Sequence, residues 1–297
     1  MEISSPSSTF CPPSPGRLFF RLFSRRPGTP FAGSLVMLAA AGLIGLAGTA
    51  ALAQPKAPPK LDPTAALNKA ARQPMLAERI TKSFTQIGQK VLETRSRRQL
   101  DDAAKEFEVA LKELQVAAPT PEIKENYQLL EQLFAEFKSI IAKPVSLASA
   151  KELAEQNEEL VWISTKGAML MAAHSKSTRS ELITTAGELR TLTQRIAKLY
   201  LFRSGGIRSD VIANDLKKAE TDYRAAMAKL QGATHNTEQI KSELALAETQ
   251  YIFLKQAIDR LNANKTSTVE LEHVAKACDN ILEVMERVTK LYEGVKA

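Results

Sequence analysis

Cysteine is almost missing from this chain. Its 297 residues hold two, Cys11 and Cys278, so no disulfide framework can be built and stability must come from packed apolar faces. Aromatic residues make up 6% and glycine occupies 13 positions, too few for the aromatic-rich strands and glycine turns of a β-sandwich or barrel. There is no glycine-rich phosphate loop, no serine elbow and no carboxylate pair in a setting that would perturb its pKa. His174, His235 and His273 lack the mutual spacing of metal ligands and read as solvated. Catalysis, metal binding and cofactor binding therefore have no positive signal, and none is expected. No run of Lys and Arg of the nucleic-acid type occurs. Arg95, Arg97 and Arg98 read as a solvated helix face or connection, so no nucleic-acid partner is expected.

What is present favours helices. Ala, Leu, Glu, Lys and Gln dominate, with 44% hydrophobic and 25% charged residues, enough to bury a core in domains of about 115 residues. The expected fold class is all-α.

Residues 1–53 read as an export signal. Arg17, Arg21, Arg25 and Arg26 precede an uncharged run from about Ser34 to Thr49, and Ala51-Leu52-Ala53 places small residues where a signal peptidase cuts. Cleavage near Ala53 would deliver a periplasmic chain starting at Gln54. The apolar run is almost long enough to span a bilayer, so an uncleaved inner-membrane anchor is the alternative. Arg25 and Arg26 form a twin-arginine pair, but Pro27 and Gly28 follow, which favours ordinary secretion. Removing the leader takes four Arg and one Glu, leaving 36 basic and 32 acidic residues and lowering the net charge from +7 to about +4.

Residues 54–63 form a Pro-rich spacer, after which the chain repeats itself. The stretch ELITTAGELRTLTQRIAKLY, Glu181 to Tyr200, matches LNKAARQPMLAERITKSF, Leu67 to Phe84, at an offset of 116. Ala70 falls on Ala186, Leu76 on Leu192, Arg79 on Arg195, Ile80 on Ile196 and Lys82 on Lys198. The same offset aligns Phe107 with Tyr223 and Leu114 with Leu230, so two similar units are expected, 64–179 and 180–297. Each reads as four amphipathic helices with short connections, giving two tandem up-down four-helix bundles. Asp62 with Pro63 and Thr120 with Pro121 mark helix starts, and Ser267 with Glu270 forms a capping-box pattern. Pro74 should kink the first helix near residue 70 or restart it. The connection His174 to Arg179 is short enough for one continuous helix to join the units. Trp162 and the Phe and Tyr stripe read as core.

Gly187 inside a helix costs about 1 kcal/mol against Ala and marks a place where another helix backbone comes close. Arg190, one turn on, has a planar fork of donors that suits a nitrate or a carboxylate. The same spacing also fits an ion pair with a Glu of a neighbouring helix, which is the commoner outcome for such a residue. Arg79 and Arg195 face elsewhere and read as structural salt-bridge residues.

AGELRTLTQRIAKLY closely resembles the first-helix motif of the PilJ/NarX-type sensor domain, the extracytoplasmic module of type IV pilus chemotaxis transducers and nitrate/nitrite sensor kinases. AARQPMLAERITKSF looks like a second, diverged copy. The resemblance implies a non-enzymatic sensor or ligand-binding module, with Arg190 and Gly187 as the ligand-binding residues at the junction of two first helices. It implies as partners a small nitrate-like anion and a membrane receptor or pilus/chemotaxis component, and pairing either as a homodimer or as an internal pseudo-dimer. The first copy departs from the motif, with Pro74 in the ligand Arg position, Ala71 for Gly187 and Arg72 on a different face. No kinase or transmitter segment is legible up to Ala297, so the expectation is the sensor module alone. The competing expectation is a periplasmic structural or interaction scaffold that has lost its ligand.

Overall fold

The apolar stripes are carried on eight helices. A computed structural model describes residues 61–207, 209–262 and 267–295. Their order is α1 (Pro63–Gly88), α2 (Glu93–Ala117), α3 (Pro121–Ile141), α4 (Leu147–Ser175), α5 (Thr178–Ser204), α6 (Asp210–Gln231), α7 (Glu238–Asn262) and α8 (Thr268–Glu293). No strand occurs among the described residues, and the chain is all-α as expected. The stretch read as an export signal and most of the expected spacer lie outside the described residues. Among the described helices, none is long and apolar enough to cross a membrane.

Local chemistry sets the helix starts. The Asp62 carboxylate accepts the N–H groups of Thr64 and Ala65 at 3.0 and 3.1 Å, with Pro63 in the first turn where no donor is needed. Thr120 caps α3 in the same way, and Ser267 and Glu270 satisfy each other's backbone at α8. Ser146 and Ser149 do so at α4. The continuous helix that the short connection allowed is not formed. Lys176 takes a left-handed conformation (φ 47°) and the Ser177 hydroxyl accepts from the N–H of Ser180, starting a new helix. A serine that can bond the backbone ahead of it competes with helix continuation.

Pro74 does not restart α1, which runs as one element. A helix proline costs about 3 kcal/mol, but almost every side chain from Ala66 to Ile87 is buried, because α2, α4 and α5 all pack on α1. The surrounding contacts outweigh the lost backbone bond.

Most neighbouring helices run antiparallel. Lys69–Glu113 and Arg72–Glu106 tie α1 to α2, while Arg179 to the Val295 carbonyl and Arg190 to Glu286 tie α5 to α8. The exception is the central pair, α1 and α5, which run parallel. Ala71 meets Gly187, Glu78 meets Arg195, and Gln89 donates to the Leu201 carbonyl. These contacts fall at separations of 112 to 117 residues, around the offset of the sequence repeat. Helix α5 is correspondingly buried on nearly all sides from Leu182 to Phe202.

Away from this pair the core is filled by stacked aromatics, Phe107 on Phe134 at 4.1 Å between centroids and Tyr223 on Tyr251 at 4.2 Å. Trp162, expected in the core, is 48% exposed. The α3/α4 contact is taken instead by Gly167 lying against Asn126 and Tyr127, which leaves the neighbouring turn facing solvent.

A Cβ on Gly187 would sit 2.6 Å from the Ala71 Cβ and 2.9 Å from the Ala71 carbonyl oxygen. Alanine at this position gains about 1 kcal/mol of helix propensity, but forcing two backbones apart costs about 1–3 kcal/mol. Thermal unfolding of Gly187→Ala should therefore show a lowered midpoint, and adding Ala71→Gly should recover most of the loss. An unchanged midpoint in the single variant would mean that the helices are not held at this contact.

Candidate functional site

The close approach at Gly187 sets the position of Arg190. One turn further along α5, its side chain lies fully buried between α1 and α8. One terminal nitrogen donates to Glu286 Oε2 at 3.1 Å and the other to Asn68 Oδ1 at 2.9 Å. Asn68 in turn donates to Glu293 at 2.6 Å. Burial pulls the Arg190 guanidinium below its ordinary pKa, and Glu286 opposes that pull. Of the two readings that spacing left open, the geometry contains the Glu of a neighbouring helix. The first repeat contributes more than its sequence indicated. Arg72 reaches the same Glu286 oxygen at 2.7 Å from α1 and touches Glu106 at 2.6 Å, so two guanidiniums converge on one carboxylate. Arg190 Nε and Glu286 Oε1 have no hydrogen-bond partner.

Further along the same seam lie two more charged clusters, each bridging opposite halves of the chain. In the first, fully buried Glu78 of α1 meets Arg195 at 2.9 Å and Lys198 at 2.8 Å, both from α5. Glu158 of α4 meets the same two cations at 2.7 and 2.9 Å, and Asp215 lies 3.6 Å from Arg195. Asn157 donates to Glu78 and accepts from Thr81. In the second, Lys82 of α1 meets Asp279 of α8 at 2.7 Å, while Arg95 and Gln99 of α2 reach the other Asp279 oxygen at 2.9 and 2.7 Å.

The electrostatics follow from these contacts. Burial pushes the Glu158 carboxyl up, but Lys198 and Arg195 outweigh it and bring it down to about 2. Asp279 is also held below the usual carboxylate range, burial being outweighed by Lys82, Gln99 and Arg79. Burial lowers Arg195, and Glu78 and Glu158 more than restore it. Burial pushes the Cys278 thiol up to about 12, which leaves it protonated and unreactive in the folded chain. The three histidines are exposed, and among the described residues no three His, Cys, Asp or Glu side chains converge to hold a metal ion.

Arg195 makes the structural salt bridges read for it, whereas Arg79 makes no ion pair within 4 Å and its Nε is buried without a partner. Arg95 is not simply solvated, since it reaches buried Asp279. The repeat alignment of Lys82 with Lys198 marked both buried lysines. Nothing local marked Glu158 or Asp279 as their partners, because α4 and α8 show no comparable sequence match.

Comparison with family models, with curated proteins and with solved structures gives no match.

A carboxyl whose folded pKa lies below its unfolded value adds stability that is complete above the unfolded value and is lost as pH falls toward the folded one. For Glu158 that window runs from about 4.5 down to about 2. Half of this side chain stays in solvent (47% exposed), so the effect is modest. The unfolding midpoint should fall across this window, and Glu158→Gln should have a lower midpoint at pH 7 with a shallower acid slope. Parallel slopes in the two proteins would show that Glu158 is not ion-paired in solution.

Proposed function

We propose that the chain is an exported, non-enzymatic protein-interaction module made of two tandem four-helix bundles, 64–179 and 180–297, paired internally through α1 and α5. Its motif resembles that of the PilJ/NarX-type sensor domain, while its Arg190 is already paired within the chain. The observation that carries this reading is the pairing of buried Arg190 with Glu286 and Asn68. A nitrate or carboxylate arriving there would have to expel Glu286 and replace contacts the guanidinium already has. Exchange of one oxyanion for another yields little net affinity, because the displaced carboxylate loses what the ligand gains. The partner is then a protein, a membrane receptor or a pilus/chemotaxis component. Trp162 and Met169 support this. They lie seven residues apart on α4, hence on one face, and are 48% and 44% exposed; exposed Trp is the side chain most enriched at binding hot spots.

One observation favours a second reading, a small-oxyanion sensor at Gly187 and Arg190. Arg72 and Arg190 converge there, with Arg190 Nε and Glu286 Oε1 unpartnered, so a ligand could enter by displacing Glu286.

Thermal unfolding of the full chain with graded nitrate, nitrite, chloride and acetate separates the two. A ligand at a hundred times its dissociation constant adds about 2.7 kcal/mol, a visible midpoint shift. The expected result is no anion-dependent rise that requires Arg190, together with a lower midpoint for Arg190→Ala in every salt, since Glu286 and Asn68 lose a buried partner. A rise for one anion that disappears in Arg190→Lys would establish the sensor reading and overturn the scaffold.

A further inference from the structure

The two charged clusters beyond Arg190 occupy related positions but do not carry related charges. The relation is geometric. Lys198 of α5 crosses to Glu158 of α4, and Lys82 of α1 crosses to Asp279 of α8. The lysines are 116 residues apart, and the carboxylates 121 apart, the same spacing as the helix caps Ser146 and Ser267. Under this exchange Arg195 corresponds to Arg79, Glu78 to Gln194, Asp215 to Gln99 and Asn157 to Cys278. By the same exchange, the contact of Glu78 with Arg195 and Lys198 corresponds to Gln194 facing Arg79 and Lys82.

The first cluster balances Arg195 and Lys198 against Glu78, Glu158 and Asp215. In the second, two of the three corresponding positions hold amides, Gln194 and Gln99, and a third cation, Arg95, is present. Among the described residues Lys82 and Arg95 pair within 4 Å with Asp279 and with no other carboxylate, and Arg79 pairs with none. Excess positive charge held between packed helices is unfavourable unless something neutralises it. Two side chains are visibly unsatisfied. Gln194 is fully buried and neither atom of its amide has a partner. Arg79 acts on Asp279 electrostatically but forms no salt bridge, and its Nε is a buried donor without an acceptor. A buried amide or guanidinium donor left unpaired costs more than an average hydrogen bond stabilises.

We propose that this cluster is a binding site for a small oxyanion, held by Arg79, Lys82 and Gln194 and entered past Arg95. The ion supplies the acceptors that Glu78 supplies at the related position. Arg79 contributes the donor fork, Lys82 shares its charge with Asp279, and the Gln194 amide donates one hydrogen bond. Arg95, 45% exposed, and partly exposed Arg79 give the ion a way in from solvent. An ion bound there would tighten the seam between the two halves, since Arg79 and Lys82 come from α1, Gln194 from α5 and Asp279 from α8. The proposal is independent of whether Arg190 binds anything.

The test is thermal unfolding of the full-length chain titrated with sulfate and with inorganic phosphate, against sodium chloride at matched ionic strength, with direct uptake of labelled sulfate measured by equilibrium dialysis. The expected result is a midpoint that rises and saturates for an oxyanion but not for chloride, and uptake approaching one ion per chain. Gln194→Glu, which supplies the missing carboxylate internally, should raise the midpoint without added anion and abolish the further rise. Arg79→Gln should lose both the rise and the uptake, and Arg190→Lys should keep both. If Gln194→Glu fails to fold, Arg79→Gln and the dialysis decide. A rise linear in sulfate without saturation or uptake is general exclusion from the protein surface and overturns the proposal. So does saturable binding that survives Arg79→Gln. Binding lost only in Arg190→Lys overturns it too, and moves the ion to the Glu286 cluster.

Discussion

Everything in this molecule depends on two parallel helices coming close enough to touch backbone to backbone. Gly187 has no Cβ and Ala71 has only one carbon, so α1 and α5 meet where larger side chains would hold them apart. Parallel neighbours gain no favourable alignment of their dipoles, and a short connection cannot join them; here 89 residues of α2, α3 and α4 with their loops intervene between Gly88 and Thr178. What holds the pair is burial. Each of the two helices is packed against at least four others, and each therefore buries polar positions that an ordinary amphipathic helix would show to solvent, Gln73, Glu78 and Lys82 on α1 and Arg190, Gln194 and Lys198 on α5.

Those buried polar groups fix which side chain meets which. A seam lined only by Leu and Ala would permit the helices to slide by a turn at modest cost. With Glu78 between Arg195 and Lys198, and Lys82 against Asp279, a slide of one turn would strand charges in the interior, at several kcal/mol each. The ion pairs also run between halves, α5 to α4 and α1 to α8, so they oppose separation of the halves as well as sliding. Burying them is not favourable in itself; it makes the alternatives worse.

The sequence showed most of the fold and little of the seam, for a physical reason. Helix starts depend on chemistry within four residues, and Asp62, Thr120 and Ser267 were readable because the cap and its acceptor lie in one turn of chain. The pairing of α1 with α5 left a trace because the repeat preserved Lys82 with Lys198 and Arg79 with Arg195. Partners across the seam depend on two helices that are distant in the chain. Neither Glu158, in a run of similar glutamates, nor Asp279, beside a lone cysteine, carries a local mark of its lysine. Arg72 illustrates the same limit. Its helical face excluded it from any site shared with Arg190, yet a long side chain on a neighbouring helix reaches Glu286 all the same. Trp162 is the converse case, an aromatic expected in the core that stands half in solvent, while Gly167 on the same helix lies against Asn126 and Tyr127.

The two matched stretches of the chain carry different side chains at corresponding positions of the seam. At the Arg190 level Pro74 stands at the corresponding position in place of a guanidinium, and Arg72 brings a positive charge from a different position, so that Glu286 and Glu106 together face the pair. At the next level the exchange runs the other way, the second repeat offering Gln194 where the first has Glu78. A chain made of two identical repeats would have to carry the same charges twice. Once the halves are joined, each position is free to change alone, and the charge lost on one side of the seam must be made up by a neighbouring helix or by an ion from solution. The Glu286 cluster follows the first course, with α8 supplying the carboxylate; beside Lys82 and Arg95 α8 supplies Asp279, and the oxyanion proposed above would supply the remaining negative charge.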